Sequence, residues 1–387
     1  MRTYKFKMYP TSEEREKLFF TLNSCRFTYN KLLEYISTQD KLDRTNTGHH
    51  IVELKKEHDF LKNIYSKTLQ TERDKLFSSI KGLSQSKKKG NKIGRLRFKS
   101  RNRFTSFTYN QSGFKVIETD KRYNKLHLSK IGDIRFKQSR AIEGKIKQVQ
   151  IKLKPSGWYS YIITDGKYEC KNINNNEIGI DLGVMSFITT SNKEVFDNPL
   201  YMNKSLSKIK ILSKQLSRTK KGSNNRRKVI HKLLRLWETI DNQKKDYFHK
   251  ISTKLVKDNK LLVFEDLNIK SMTEKIGKNK YRNMRNILDS SWATFVNMLQ
   301  IKVLSTESEI IFVNPKNTSK MCSCCGNIKE DLQLWDRTYN CNKCNLSIDR
   351  DYNASVNIYR RGKELTFVGG DTSVFPMKQE SSSFMVG

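Results

Sequence analysis

Two Cys-x-x-Cys turns, Cys322-x-x-Cys325 and Cys341-x-x-Cys344, stand 15 residues apart in this 387-residue chain. Each turn points two thiolates at one ion, and the spacing is that of a tetrahedral Zn²⁺ site. Four thiolates leave such an ion no open position, so zinc held there is structural and not catalytic. The residue after the second cysteine often needs positive φ, which Gly326 supplies in the first knuckle and Asn345 in the second. Cys324 could compete with its neighbour Cys325, but the Gly326 position favours Cys325 as ligand. Disulfides are not expected of a basic protein in a reducing compartment. Cys25 and Cys170 are isolated and read as packing residues.

Charge narrows the partner. Lys and Arg number 75 against 39 Asp and Glu, a formal net charge of +36. An excess of this size binds polyanions, because each phosphate neutralised releases counterions. Nucleic acid is therefore the expected partner rather than an anionic membrane, since the charge is spread along the chain and not gathered in one amphipathic helix. The longest apolar runs, such as Leu261-Leu-Val-Phe264, fall far short of the roughly 18 residues that span a bilayer. The opening residues lack the apolar stretch of a signal peptide, so a cytosolic protein is expected. At this length two or three domains are anticipated, and the apolar content suffices for a core.

Along the chain, Tyr4, Phe6 and Met8 alternate with lysines as in an edge strand. Thr11 and Glu14 form a capping box before a helix carrying Leu18, Leu22, Tyr29, Leu33 and Ile36. A second helical region spans about 51–83. Nine basic residues and no acid then fall within 87–103: Lys87, Lys88, Lys89, Lys92, Arg95, Arg97, Lys99, Arg101 and Arg103. A solvated loop would look similar, yet interleaved Phe98, Phe104 and Phe107 favour nucleic-acid binding, because aromatic faces stack bases. From about 95 to 168, short β-rich runs predict a small barrel or sandwich, and the Asn-rich 170–176 a linker. Strands are expected at 178–182, 261–264 and 310–313. A helical hairpin is expected within 206–258, turning at 220–228, and another helix near 289–304. Residues 362–387 show little periodicity and read as unfolded.

All six histidines lie before residue 250, and none is placed with a carboxylate as a zinc hydrolase requires, so a histidine-driven mechanism is not expected. Three acids stand out instead. Asp181 sits between Gly179 and Gly183 on a strand, where glycines would let a phosphate backbone come close. Glu265 ends the run Leu-Leu-Val-Phe, where an open α/β sheet presents its ligands. Asp351, near Asp349, opens a helix. Each could be a turn, a surface charge or a cap. Together they suit two hard cations about 4 Å apart, held by carboxylates, that hydrolyse a phosphodiester without histidine. Oxygen ligands select Mg²⁺ or Mn²⁺.

Gly179-Ile-Asp-Leu-Gly183, Phe264-Glu-Asp-Leu-Asn268, Thr318-Ser-Lys-Met-Cys-Ser-Cys-Cys-Gly326 and Asp349-Arg-Asp-Tyr-Asn-Ala354 resemble, in order and spacing, the motifs of TnpB proteins, transposon-encoded RNA-guided DNA nucleases related to compact type V CRISPR effectors. The resemblance extends to Tyr4-Lys-Phe-Lys-Met-Tyr-Pro10, Ser223-Asn-Asn-Arg-Arg227 and Met377-Lys-Gln-Glu380. It implies an α+β multidomain protein. An N-terminal wedge β-barrel (1–172) would hold a helical recognition insertion (about 11–90). A RuvC-like nuclease domain of RNase H fold (173–315) would carry a helical hairpin (about 203–258). A four-cysteine zinc element (316–348), a last RuvC-like motif (349–361) and a disordered tail (362–387) would follow. It further implies Asp181, Glu265 and Asp351 as catalytic magnesium ligands, with Arg226, Arg227 and Arg337 at nucleic acid. The partners implied are a guide RNA and target double-stranded DNA, with base pairing choosing the sequence. The doubled Cys324-Cys325, and Asn345 in place of glycine, depart from the family pattern. The alternatives are a nuclease-inactive RNA-guided DNA-binding repressor and a guide-independent RNase H-like transposase.

Overall fold

The alternation in β1 (Arg2–Tyr9) buries Tyr4, Phe6 and Met8 on one face, and the next element follows from the Thr11–Glu14 capping box, in which both reciprocal hydrogen bonds form. The computed structural model describes residues 1–39, 41–119, 122–166, 174–267, 291–333 and 335–367. The chain divides into two units, Met1–Lys167 and Tyr168–Gly387, with an α+β fold. None of the described helices is long and apolar enough to cross a membrane.

In the first unit, α1 (Ser12–Ser37), α2 (Arg44–Glu57), a 3₁₀ turn (Asp59–Asn63) and α3 (Ser66–Lys88) come between β1 and the remaining strands. The single helical region expected over 51–83 is thus broken. His58 leaves the helix in an extended conformation, and the following turn buries Leu61 against the core. The strands are β2 (Ser106–Asn110), β3 (Phe114–Ile117), β4 (Asn124–Leu128), β5 (Gly132–Phe136), β6 (Ile146–Lys154) and β7 (Gly157–Thr164), in the order β2-β6-β7-β1-β5-β4-β3, with antiparallel pairs.

The closed barrel expected from the sequence is not found among the described residues. β2 and β3 occupy opposite ends of the strand order although only residues 111–113 separate them. Four peptide steps reach at most about 14 Å, so the sheet curls until its ends approach, yet no β2–β3 ladder joins them. The polar groups of the linking turn are engaged elsewhere. Gln111 N–H donates to Lys147 O, and Gly113 O accepts from Ser129 N–H. Phe104 and Phe107, expected to stack on bases, are buried in this unit's core, and of the three phenylalanines only Phe98 is exposed.

The second unit comprises β8 (Asn176–Asp181), β9 (Ser186–Thr190), β10 (Val195–Asp197), α4 (Tyr201–Lys204), α5 (Leu206–Arg218), α6 (Asn224–Asp258), β11 (Asn259–Glu265), α7 (Trp292–Val303), β12 (Glu309–Val313), β13 (Thr338–Asn340), β14 (Ser347–Asp349) and α8 (Arg350–Phe367). Its main sheet runs β10-β9-β8-β11-β12, with β8, β11 and β12 parallel. Such strands need cover on both faces. On one face Ile178, Ile180, Leu262 and Phe264 pack with Phe248, Ile251 and Leu255 of α6 and Phe295 and Leu299 of α7. On the other, Leu261, Val263, Ile311 and Val313 meet Ile358 of α8. Ser223 caps α6 through Arg226 N–H, so the turn expected at 220–228 already ends at 223. Helix α8 continues through residue 367, overturning the unfolded reading of 362–367. The rest of that tail, Cys170 and most of the expected linker lie outside the described residues.

Gly179 sits where α8 crosses β8. A Cβ built there would lie 2.1 Å from Ser355 O and 2.5 Å from Tyr359 N, so only glycine admits the helix backbone. The residue makes room for a helix, not for the phosphate backbone expected from the sequence. Gly183 serves a tight turn, where a Cβ would lie 2.6 Å from Ser186 O. Gly179→Ala should destabilise the second unit by roughly 2–3 kcal/mol, read as a lower thermal unfolding temperature. Gly94→Ala, with open space around its Cβ, should leave that temperature unchanged.

Glu72 of α3 is fully buried. Its Oε1 accepts from Lys75 Nζ at 2.7 Å, while Oε2 has no hydrogen-bond partner among the described residues. Burial, opposed by Lys75, raises its pKa from 4.5 to about 7. The folded state therefore holds this proton more tightly than the unfolded chain. The resulting stabilisation is complete below pH 4.5 and is lost as pH rises to about 7, amounting to roughly 3 kcal/mol. Glu72→Gln should flatten the stability of the first unit across that window, measured by denaturant unfolding at successive pH values.

Candidate metal centres

The two Cys-x-x-Cys turns fold alike. Gly326 N–H donates to Cys322 O and Cys322 N–H to Asn327 O; Asn345 N–H donates to Cys341 O and Cys341 N–H to Leu346 O. Gly326 and Asn345 take the positive φ expected of them, 74° and 55°. The four Sγ atoms of Cys322, Cys325, Cys341 and Cys344 lie within 4.8 Å of one another, with 3.6 Å between Cys322 and Cys344 and between Cys325 and Cys341. A disulfide would bring sulfurs to about 2.05 Å. Four thiolates at about 2.3 Å from a tetrahedral ion would stand roughly 3.8 Å apart, so this cluster fits zinc. Cys324 is exposed and outside it. Backbone N–H groups of Cys344 and Lys343 hold the Cys341 thiol down at about 6. Tyr339, fully buried, braces the cluster by donating to Lys320 O at 3.0 Å.

The three acids meet through strand register and helix pitch. Val263 pairs with Gly179 and Phe264 with Ile180, so the next position sets Glu265 beside Asp181 at the carboxyl ends of two adjacent parallel strands. Asp181 shares the face of Gly179, two residues back, and that is the face α8 crosses. Along β8 a two-residue step advances about 6.6 Å, and along α8 a four-residue step about 6 Å. Tyr359 therefore meets Glu177, Ser355 and Tyr359 flank Gly179, and Asp351, one turn before Ser355, reaches the level of Asp181.

The electrostatics follow from that convergence. Burial first, then the negative charges of Glu265 and Asp351, pushes the Asp181 carboxyl well above the usual carboxylate range. Glu265 is raised by burial, against the Thr318 hydroxyl hydrogen-bonded to its Oε1 and the charge of Arg361. Asp351 is raised by burial and by Asp349, opposed by Arg337 and Arg350. Arg337 Nη1 lies 3.6 Å from Asp351 Oδ2. Three oxygen-donor acids with too little positive charge around them suit hard divalent cations. They do not close into one tight cage, since the cysteines form the only such cluster among the described residues. Asp349 is the cap of α8, accepting Tyr352 N–H at 2.8 Å.

Other expected residues divide. The nine basic residues from Lys87 to Arg103 are all exposed. Arg226 is committed within the hairpin, donating to Leu216 O at 2.8 Å and so closing the end of α5, while Arg227 is exposed. The sequence reading assigned no role to Thr318 or Asn353, although both fall within its motifs, nor to Asn357. Asn353 bonds Ser323 N–H and Met321 O, and Asn357 donates to Thr318 O and Met321 O, fastening the first knuckle to α8. Two asparagines four apart on one helix face were the available signal.

Three family models match the chain: OrfB_IS605, described as "Probable transposase", over residues 136–275; "Cas12f1-like, TNB domain" over 292–358; and the OrfB_IS605 "Helix-turn-helix domain" over 1–41. The last falls on β1 and the single unbroken α1. "Putative RNA-guided DNA endonuclease InsQ" of Escherichia coli (strain K12) is 27% identical over 100% of this chain and 98% of its own length. "TnpB-like protein L79" of Acanthamoeba polyphaga mimivirus is 30% identical over 49% of this chain and 38% of its own. A Cas12f1 chain, solved with sgRNA and target DNA, superposes with TM-score 0.55 at 16% identity, covering 90% of this chain and 83% of that one. CasPhi-2 (Cas12j), solved bound to crRNA, gives 0.50 at 9%, covering 93% and 97%. These structural likenesses concern the fold.

Purified protein should carry one zinc, measured by metal analysis. Cys325→Ser and Cys341→Ser should lose it, whereas Cys324→Ser should keep it.

Proposed function

Because the chain belongs to the TnpB family, we propose that it is an RNA-guided, divalent-metal-dependent DNA endonuclease. The observation that carries this reading is the convergence of Asp181, Glu265 and Asp351 at the carboxyl edge of β8 and β11. Relatives named as RNA-guided DNA endonucleases support it, as does the likeness of fold to Cas12f1. In this reading the second unit is a RuvC-like domain of RNase H type, and its cysteine element holds structural zinc. The first unit is the wedge with its recognition helices. Guide RNA and target duplex are the partners, drawn by the +36 charge and by exposed residues such as Lys87–Lys89, Lys92, Arg95, Arg97, Lys99, Arg101, Arg103 and Arg227.

Mg²⁺ or Mn²⁺ on these oxygens would supply Lewis acidity for attack of water on phosphorus and for departure of the leaving oxygen. The chain's own part is orientation. The Thr318 hydroxyl fixes one oxygen of Glu265, and the sheet register holds Asp181 alongside. Arg337 screens Asp351 and lies where it can also meet a phosphate. Asn353 and Asn357 act one step back, holding the first knuckle of the cysteine element, which further along carries Arg337, against α8.

The test is to purify the protein, sequence the RNA that stays with it through high salt, and assay a plasmid matching that RNA. Mg²⁺-dependent cutting of the matched plasmid alone is expected. Cutting unaffected by any RNA would remove the guided part of the reading. Asp181→Asn and Glu265→Gln should each slow cleavage at least about a hundredfold, with nucleic-acid affinity nearly unchanged by filter binding. Cleavage at the parent rate would displace the site.

A further inference from the structure

We propose that Trp335 is a base-stacking residue beside the acidic site, taking the face of an unpaired nucleobase in the DNA strand to be cut; this deepens the nuclease reading and rests on it. Trp335 is 75% exposed, whereas Trp158 and Trp292 are buried and Trp237 is half-buried. The small core of the cysteine element, built from Tyr339, Cys322, Cys341, Leu332, Leu346 and Ile348, is complete without it. An indole left in water on a segment that does not need it for packing is available to a partner.

The segment is fixed to the site. Arg350, between Asp349 and Asp351, donates from Nη1 to Gln333 O at 2.9 Å and to Asp336 O at 3.4 Å, and from its backbone N–H to Arg337 O at 2.8 Å. Gln333 N–H donates to Asp336 Oδ2 at 2.9 Å, tying together the chain before and after Trp335. The backbone on either side of the ring therefore has little freedom to lose when a ligand stacks on it. Two residues on, the half-exposed guanidinium of Arg337 sits at Asp351. An aromatic face with a cation next to it is the pairing that single-strand binders use, the ring for the base and the cation for its phosphate. A base inside a duplex has no free face, so the ligand must be unpaired.

Trp335 emission is the readout, isolated as the difference between the parent chain and Trp335→Phe, in chelator so that nothing is cut. The full chain, loaded with its copurified RNA, is titrated with oligothymidylate and, separately, with a blunt duplex. Oligothymidylate should quench the Trp335 emission and shield it from iodide, and the duplex should not. In cleavage, Trp335→Ala should lower kcat/KM about tenfold while Trp335→Phe keeps near-parent values, both variants retaining zinc and the parent unfolding temperature. Emission indifferent to oligothymidylate overturns the proposal. So does equal shielding by duplex, shielding by the RNA before DNA is added, or shielding that grows with protein concentration alone, which would mark a contact between copies. A parent chain that never cuts DNA defeats the nuclease reading, and the fluorescence still judges Trp335 by itself.

Discussion

The contact on which the second unit depends is the seating of one helix directly on one strand. Gly179 lets the backbone of α8 lie against β8 with no side chain between, and Gly362 returns the favour where α8 crosses Val263. That approach sets the level at which α8 meets the sheet. A side chain at position 179 would lift the helix by about the width of a methyl group and carry Asp351 away from Asp181. The opposite face of the same helix holds the first cysteine knuckle through Asn353 and Asn357, so one helix positions both candidate centres.

The acidic site gathers negative charge in a chain with nearly twice as many basic as acidic residues. Such a gathering is costly, and the raised carboxyl groups register that cost. The chain offsets only part of it, with Thr318 and Arg361 at Glu265 and Arg337 at Asp351. Incomplete compensation is what the proposed cation site would require, because full pairing by arginine would leave nothing for a metal to neutralise. Glu72 in the first unit is a different case, a single buried acid leaning on one lysine, with no second carboxylate among the described residues to share an ion.

Much of the local structure was legible. The Thr11–Glu14 capping box, the alternation of β1, the hairpin of α5 and α6, and positive φ at Gly326 and Asn345 are each specified within a few residues, by hydrogen bonds or sterics that act at short range. The readings that failed were about surroundings. Phe104 and Phe107 looked like stacking rings beside lysines, but alternation alone does not say which face a core will claim. Gly179 was read as clearance for a ligand, and the space it leaves is filled by the chain itself. The curled sheet of the first unit stays open because the turn between β2 and β3 directs its polar groups to Ser129, just past β4, and to Lys147 of β6, a choice that strand propensity does not contain.

Taken alone, the amino-acid order determined that the chain is polybasic, that four cysteines can grip one ion, and which three acids stood apart from the rest. Tertiary structure alone decided that Asp351 of α8 meets Asp181 and Glu265 at one edge of a sheet, that Arg226 closes a helix end, and that Trp335 is left in water. The reason is range. Caps, knuckles and alternation are settled among neighbours in the chain, whereas the meeting of residues 181 and 351 depends on how a strand of about 3.3 Å rise and a helix of about 1.5 Å rise pack together, which no short stretch of sequence encodes.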